Sequence, residues 1–282
     1  MLINVKNKLL SLESPITMGI LNYTEDSFYD GGRYSSQTQL LRQTEKMISA
    51  GVTIIDIGVV STRPGANDVD SETELFKVEK LLKLILRHFP SVLVSVDTWR
   101  SEVACLAVEH GAAIINDISG GTFDPKMPEV IGKLQVPYCL MHTTAHPKTM
   151  QQQLLLPPTI PQMLQFFGKQ IELFRQNGCK DIILDPGFGF GKTLQQNYFL
   201  LNNLSAFQIF GVPILIGVSR KSMIYKLLDI TPEEALNGTS ILNTIALLNG
   251  ANILRVHDVK EAEETIKLVQ QLELCRKEII EN

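Results

Sequence analysis

The sequence predicts an α/β protein folded as a single-domain, closed (β/α)8 barrel. Three observations carry this. Eight short runs are rich in β-branched and aliphatic residues, longer stretches with helical periodicity lie between most of them, and a polar or charged residue marks the C-terminal side of every run. Such alternation favours a parallel sheet, and eight units favour closure over an open doubly wound sheet. A chain of 282 residues suits this, since a barrel of this kind uses about 250 residues as one domain.

In chain order, a leader over residues 1–14 is expected to cover the far end of a barrel domain spanning 15–282. The first run, Thr17 to Asn22, precedes a helical stretch from Gln37 to Ala50. The second, Thr53 to Gly58 with Asp56, precedes Glu72 to His88; the third, Leu93 to Asp97, precedes Arg100 to His110. Ile114 to Ile118, with Asn116 and Asp117, is followed by no marked helical pattern before the fifth run, Tyr138 to His142. Pro161 to Asn177 reads as the next helix, then Ile182 to Asp185 as strand and Gln195 to Leu204 as helix. Ile214 to Ser219 leads into Ser222 to Leu228 and Glu233 to Asn249, and Ile253 to His257 into Val259 to Ile280. Gly51, Gly111, Gly178 and Gly250 each follow a helical stretch and precede a strand, where a left-handed cap suits a residue without Cβ.

Composition excludes several classes. With 44% hydrophobic and 20% charged residues the chain can bury a core over most of its length. A net charge of -4 argues against bulk attraction to nucleic acid or anionic membrane, so any anion site must be built locally. Cys105, Cys139, Cys179 and Cys275 are scattered, and no apolar run approaches the roughly 18 residues of a membrane span, which together predict a reduced, cytoplasmic protein.

Two constellations gather at the strand ends, the face on which barrel active sites lie. Ser61, Thr62, Arg63 and Pro64 follow the second run, Ser219, Arg220, Lys221 and Ser222 the seventh, and Arg255 and His257 end the eighth. Guanidinium forks, hydroxyls and imidazole at three converging ends predict a phosphate or diphosphate site. Asp97, Asn116 and Asp185 form a separate, acceptor-rich set that suits the edge of a flat heterocycle with adjacent N–H donors, such as a pterin. Turn capping and a magnesium site are the alternatives for these three residues. Gly187 to Thr193 is neither a phosphate loop, because Pro186 stands where glycine is needed, nor a dinucleotide fingerprint. It reads as a tight loop supporting Asp185. A zinc site from Cys139, His142 and His146 is disfavoured because Cys139 and His142 face opposite sides of a strand.

Ordered motifs run almost from end to end: MGILNYTEDSF at 18–28, IIDIG at 54–58, STRPG at 61–65, SVDT at 95–98, INDISG at 115–120, LDPG at 184–187, SRKS at 219–222 and RVHD at 255–258. In these the chain resembles the dihydropteroate synthases. The resemblance implies a TIM barrel that joins a pterin diphosphate to 4-aminobenzoate on the route to folate, with Mg2+ as cofactor and sulfonamides as mimics of 4-aminobenzoate. It implies that Asp97, Asn116, Asp185 and Lys221 hold the pterin, with Met141, Phe190 and Gly217 lining its pocket. Asn22 would bind magnesium, and Thr62, Arg63, Arg255 and His257 the phosphates. Phe28, Pro64, Lys221 and Ser222 would shape the 4-aminobenzoate site, and Asp97, Lys221, Arg255 and His257 would carry the catalysis. A homodimer through outer helices is also implied. Departures stand at Glu25, Val59, Val60 and the segment His142 to Pro147. A methyltetrahydrofolate-dependent methyltransferase and a catalytically silent pterin-binding barrel are the competing readings.

Overall fold

Successive residues of a strand point to opposite faces, and here the two sets meet different surroundings. In the computed structural model, which describes residues 1–22, 33–59, 69–146, 148–149, 154 and 159–281, two short strands come first. β1 (Leu2–Val5) and β2 (Lys8–Ser11) pair as an antiparallel hairpin, turning through Lys6 and Asn7 at φ 51° and 60°. The barrel follows as β3 (Ile16–Asn22), α1 (Arg33–Ser49), β4 (Ile54–Gly58), α2 (Ser71–His88), β5 (Leu93–Asp97), α3 (Ser101–Glu109) and β6 (Ile114–Asp117). It continues as α4 (Met127–Leu134), β7 (Tyr138–Met141), α5 (Thr159–Gln176), β8 (Ile182–Asp185), α6 (Leu194–Asn202) and a 3-10 helix (Leu204–Phe210). β9 (Leu215–Ile216), α7 (Ser222–Leu228), α8 (Leu236–Leu248), β10 (Ile253–Val256) and α9 (Val259–Glu281) complete it.

The parallel sheet runs β8-β7-β6-β5-β4-β3-β10-β9. It closes through a single bridge between Leu184 and Ile214, where Leu184 N donates to Pro213 O at 2.8 Å. Outward residues such as Ile55, Ile57, Val94, Val96, Ile115, Leu140, Leu184 and Leu254 pack in the large core shared with the helices. The inward set divides by height. Met18, Ile54, Ile114, Cys139, Ile183, Leu215 and Ile253 form an apolar floor, sealed by Ile3, Val5 and Leu12 from the hairpin and its exit. Two residues further along the strands stand Asp56, Asn116, Asp185 and Arg255, so one step of strand period carries the interior from apolar floor to polar mouth.

The eight barrel strands and their order match the sequence reading, with three local differences. β9 is two residues long rather than six, because the chain leaves the ladder to turn, Lys221 N donating to Val218 O at 3.1 Å. α4 fills the interval in which no helix is expected. Its eight residues include Pro128 in the first turn and Gly132 in the middle, which breaks the periodicity; a Cβ at Gly132 would stand 1.8 Å from Asn177 O, so only glycine allows the helix to dock there. The hairpin supplies two strands within the leader. No described helix is long and apolar enough to cross a membrane.

Candidate active site at the barrel mouth

Register brings the acceptor set together. Gly58 pairs with Asp97, Asp97 with Asn116, and Met141 with Asp185 across adjacent strands. Asp97, Asn116, Met141 and Asp185 are all buried. At their centre is Asp56, which is fully buried and whose Oδ2 accepts from Asn116 Nδ2 at 3.0 Å and from Arg255 Nε at 2.7 Å. The amide nitrogen of Asn116 is thus oriented toward Asp56, which leaves its oxygen as an acceptor for a ligand. Arg255 Nη2 also donates to Asp97 Oδ2 at 3.2 Å. The anion and heterocycle sets, separate in the sequence reading, therefore meet at Arg255.

Burial pushes the Asp97 carboxyl up to about 8, with Asp56, Asp117 and Glu74 adding to the effect and Arg255 opposing it. Asp185 is also raised by burial, while Lys221, the Gly187 N–H and Arg255 pull the other way. One of its oxygens accepts from Gly187 N at 2.8 Å. Desolvation works against the Arg255 charge, yet Asp56 and Asp97 outweigh it and hold the guanidinium more firmly protonated.

Lys221 reaches the mouth from the turn after β9. Its Nζ donates to Phe188 O at 2.6 Å and lies 4.9 Å from the centroid of the Phe190 ring. Burial lowers its pKa to about 8 against the opposing pull of Asp185. The ammonium has room beside Gly217, where a Cβ would come within 3.7 Å of Nζ. Arg220 goes the other way: at φ 52° it turns its side chain outward, and Nε and Nη2 hold Asp258 at 2.8 and 2.9 Å. Its grouping with the phosphate-site cations is therefore corrected. His257 stands at the rim beside Ser219, and Ser222 opens α7. Desolvation, followed by the charge of Arg255, lowers the imidazole of His257 to about 4, although the residue as a whole is exposed.

The loop after β8 is held from beneath by Lys192, a residue that the sequence reading passed over. It is 4% exposed and donates to Gly187 O at 2.8 Å, Phe190 O at 3.0 Å and His142 O at 3.2 Å. Burial lowers its pKa to about 7. The advance signal was a lysine at the end of a run of glycines and aromatics. The unusual segment after β7 packs on the same loop: Thr144 lies where a Cβ on Gly191 would be, 1.7 Å from its Oγ1. His146 joins Trp99 and Phe123, with ring centroids 5.4 and 5.2 Å away. His142 faces Phe166 of α5 at 4.9 Å while Cys139 belongs to the barrel floor, on opposite sides of β7.

Phe28, Thr62, Arg63 and Pro64, with Glu25 and Val60, lie outside the described residues. Val59 is buried in the core outside the barrel. Asn22 is exposed at the end of β3. A Cβ on Gly58 would meet Asn22 Oδ1 at 3.4 Å, Asp97 Cβ at 3.7 Å and Asp97 Oδ2 at 3.9 Å, so both side-chain oxygens lie beside this glycine.

An acceptor-rich floor joined by one arginine to a cationic rim defines a barrel for a flat heterocycle that carries an anion. Residues 18–257 match the family described as pterin binding enzyme. The dihydropteroate synthase of Escherichia coli (strain K12) is 44% identical over 263 residues, 93% of each chain, and that of Bacillus subtilis (strain 168) is 40% identical over 273 residues, 96% of this chain and 93% of its own. A Yersinia pestis dihydropteroate synthase in complex with a sulfonamide drug superposes with a TM-score of 0.90 at 40% identity, covering 97% of this chain and 99% of that one. The Xanthomonas albilineans enzyme with 4-aminobenzoic acid gives 0.88 at 32% identity, over 96% and 98%. The chain belongs to the pterin binding enzymes and, among them, to the dihydropteroate synthases, which are transferases of folate biosynthesis.

Proposed function

We propose that this chain transfers the pterinylmethyl group of 6-hydroxymethyl-7,8-dihydropterin diphosphate to the amine of 4-aminobenzoate, with a C–O bond breaking, a C–N bond forming, and diphosphate and a proton released. The observation that carries this reading is Arg255, bonded at once to Asp56 and Asp97 within the acceptor floor and standing below His257 at the cationic rim. The heterocycle would lie with its N–H edge on Asp185 and the oxygen of Asn116, beside Met141, Phe190 and Gly217, with Lys221 above Asp185. Diphosphate would extend to Arg255 and His257, and to Thr62 and Arg63. 4-Aminobenzoate would lie nearer Ser222, Phe28 and Pro64.

The oxygen pair beside Gly58 suits a hard divalent cation such as Mg2+, which characteristically takes one or two protein oxygens and completes its shell with phosphate oxygens and water. Asn22 would be its ligand. When bound, magnesium offsets charge on the departing diphosphate. The cations of this chain act on the same charge, and His257 can donate to a phosphate oxygen without itself losing a proton. Because the pterin ring spreads positive charge at the methylene carbon, no covalent nucleophile is required, and Lys221 and Asp185 serve to fix the ring.

Apolar side chains on outer helices, among them Leu227, Leu228, Ile241, Ile245 and Leu248, are exposed, which supports a homodimer joined through α7 and α8. The place of work is the cytoplasm. A diphosphate-release assay with the pterin diphosphate, magnesium and 4-aminobenzoate tests the function. Release that requires all three is expected; binding without release would point to a silent barrel, and no dependence on 4-aminobenzoate would refute the transfer.

A further inference from the structure

Ser219 lies at the turn between β9 and α7 and is 4% exposed. Among the described residues its Oγ has two partners, both on His257: the backbone nitrogen at 3.2 Å and ring Nδ1 at 3.0 Å. A backbone N–H can only donate, so it occupies a lone pair of the hydroxyl. The hydroxyl proton then finds its acceptor at Nδ1, and leaving it unpaired in a buried turn would be costly. With Nδ1 accepting, the neutral ring must carry its proton on Nε2.

We propose that Ser219 is a positioning residue that fixes His257 as the Nε2–H tautomer and so presents a neutral hydrogen-bond donor to the diphosphate. The proposal rests on the reading of His257 as a phosphate contact. A second rung lies one residue further on in both loops. Arg220 grips both oxygens of Asp258 at 2.8 and 2.9 Å, donates through Nη1 to Pro232 O at 2.9 Å and to Glu233 O, and through its backbone nitrogen to Thr239 Oγ1 at 3.0 Å. Ser219 with His257 and Arg220 with Asp258 thus lock the turn after β9 to the turn after β10 in one register. The left-handed backbone at Arg220 makes this possible, because it sends consecutive side chains to different partners: Arg220 to the outer rung and Lys221 into the mouth. The imidazole is lowered to about 4 by burial and by Arg255, Arg220 and Lys221 against the pull of Asp258, so the ring is neutral at pH 7 and its tautomer decides what it offers.

Long-range 1H–15N correlation spectra of the full 15N-labelled chain, with the His257 signals assigned by comparison with His257→Ala, read the tautomer directly. Protonated Nε2 and bare Nδ1 are expected, and this measurement needs no variant at position 219 to fold. In Ser219→Ala, with folding checked by its thermal midpoint, an Nδ1–H population should emerge. Its Kd for magnesium diphosphate should rise about three- to tenfold, the size of one ordinary hydrogen bond lost, with affinity for phosphate-free 6-hydroxymethylpterin unchanged. Ser219→Thr, which keeps the hydroxyl, should restore both. A His257 ring protonated on Nδ1 in the unsubstituted chain, or a Ser219→Ala variant with unaltered spectrum and diphosphate affinity, would overturn the proposal. If His257→Ala bound diphosphate normally, the phosphate role would fall and the proposal's functional half with it. The spectrum tells that failure apart from a wrong tautomer.

Discussion

Replacing Asp56 with Asn removes a charge from the centre of the mouth with little change of shape. Asp56 Oδ2 accepts from both Arg255 and Asn116, whereas Oδ1 has no hydrogen-bond partner among the described residues, so an amide can keep its oxygen on the two donors and place its nitrogen where Oδ1 stood. What is lost is the charge assistance of two hydrogen bonds. The Asn116 bond falls from the roughly 1.5–3 kcal/mol of a bond to a charged group to the roughly 0.5–1.5 of a neutral pair, and Arg255 keeps its own charge but loses an opposing one, which together put the loss at roughly 2–3 kcal/mol. For a chain of this size that is a fall in thermal midpoint of about 3–5 °C. The loss should also depend on pH. Asp97 is raised from 3.8 to about 8, so its contribution is fully present below the lower value and is lost as pH rises through the upper one. Without the neighbouring Asp56 charge the Asp97 carboxyl falls toward its ordinary range, ionises earlier and takes over as the counter-ion of Arg255. The stability gap between the two proteins should therefore be largest near pH 5 and narrow toward pH 9. Urea unfolding across that range is the assay. A gap that is flat with pH, or below about 0.5 kcal/mol throughout, would remove Asp56 as the partner of Arg255.

Asp185→Asn should weaken pterin binding by about 1–3 kcal/mol, since it turns a donor toward donors while the barrel stays folded; unchanged affinity in calorimetry would take Asp185 out of the pocket. His257→Ala should weaken diphosphate binding and spare phosphate-free pterin, whereas Arg255→Ala should weaken both because its guanidinium also holds Asp56 and Asp97; equal sparing of pterin in the two variants would contradict this sharing. His142, held down to about 2 from 6.5 by burial and the Lys192 charge, leaves the unfolded chain to take up a proton that the folded one refuses. Stability should then drop by about 1.4 kcal/mol for each pH unit below the ordinary histidine value, and His142→Leu should abolish that part of the drop in denaturant titrations at pH 5 and 7.

Strand period made most of this site legible in the sequence. Asp97, Asn116, Asp185 and Arg255 share an inward face because each lies an even number of residues from a floor residue on its own strand or falls at its inward end, and that is visible without coordinates. Asp56 was visible too, as a polar residue on the second run, but its central place depends on which side chains lean across the barrel axis, and no one-dimensional pattern holds that. Arg220 misled for a similar reason. Its neighbours Ser219 and Lys221 turn to His257 and to the mouth, and only the left-handed turn at Arg220 shows that it belongs to Asp258. α4 escaped notice because proline and glycine, which locally argue against a helix, are tolerated there by a start at Pro128 and a close approach at Gly132. Lys192 escaped because a buried lysine satisfied by three carbonyls looks, in sequence, like any surface cation.

The hairpin of β1 and β2 precedes every barrel strand in the chain, yet the floor that receives Ile3, Val5 and Leu12 includes Leu215 and Ile253. Synthesised from the N-terminus, it can pair with itself at once, but it cannot find its seat until the last barrel strand has been delivered and has joined β3 through Ile253 and Ile16. During that interval its apolar face has no partner inside the molecule, and contacts that span nearly the whole chain are slow to form. The plug at the base of the barrel is thus made before every barrel strand and is among the last segments fixed, and a nascent chain carrying a more strongly apolar hairpin would be exposed to aggregation for as long as translation of the barrel takes.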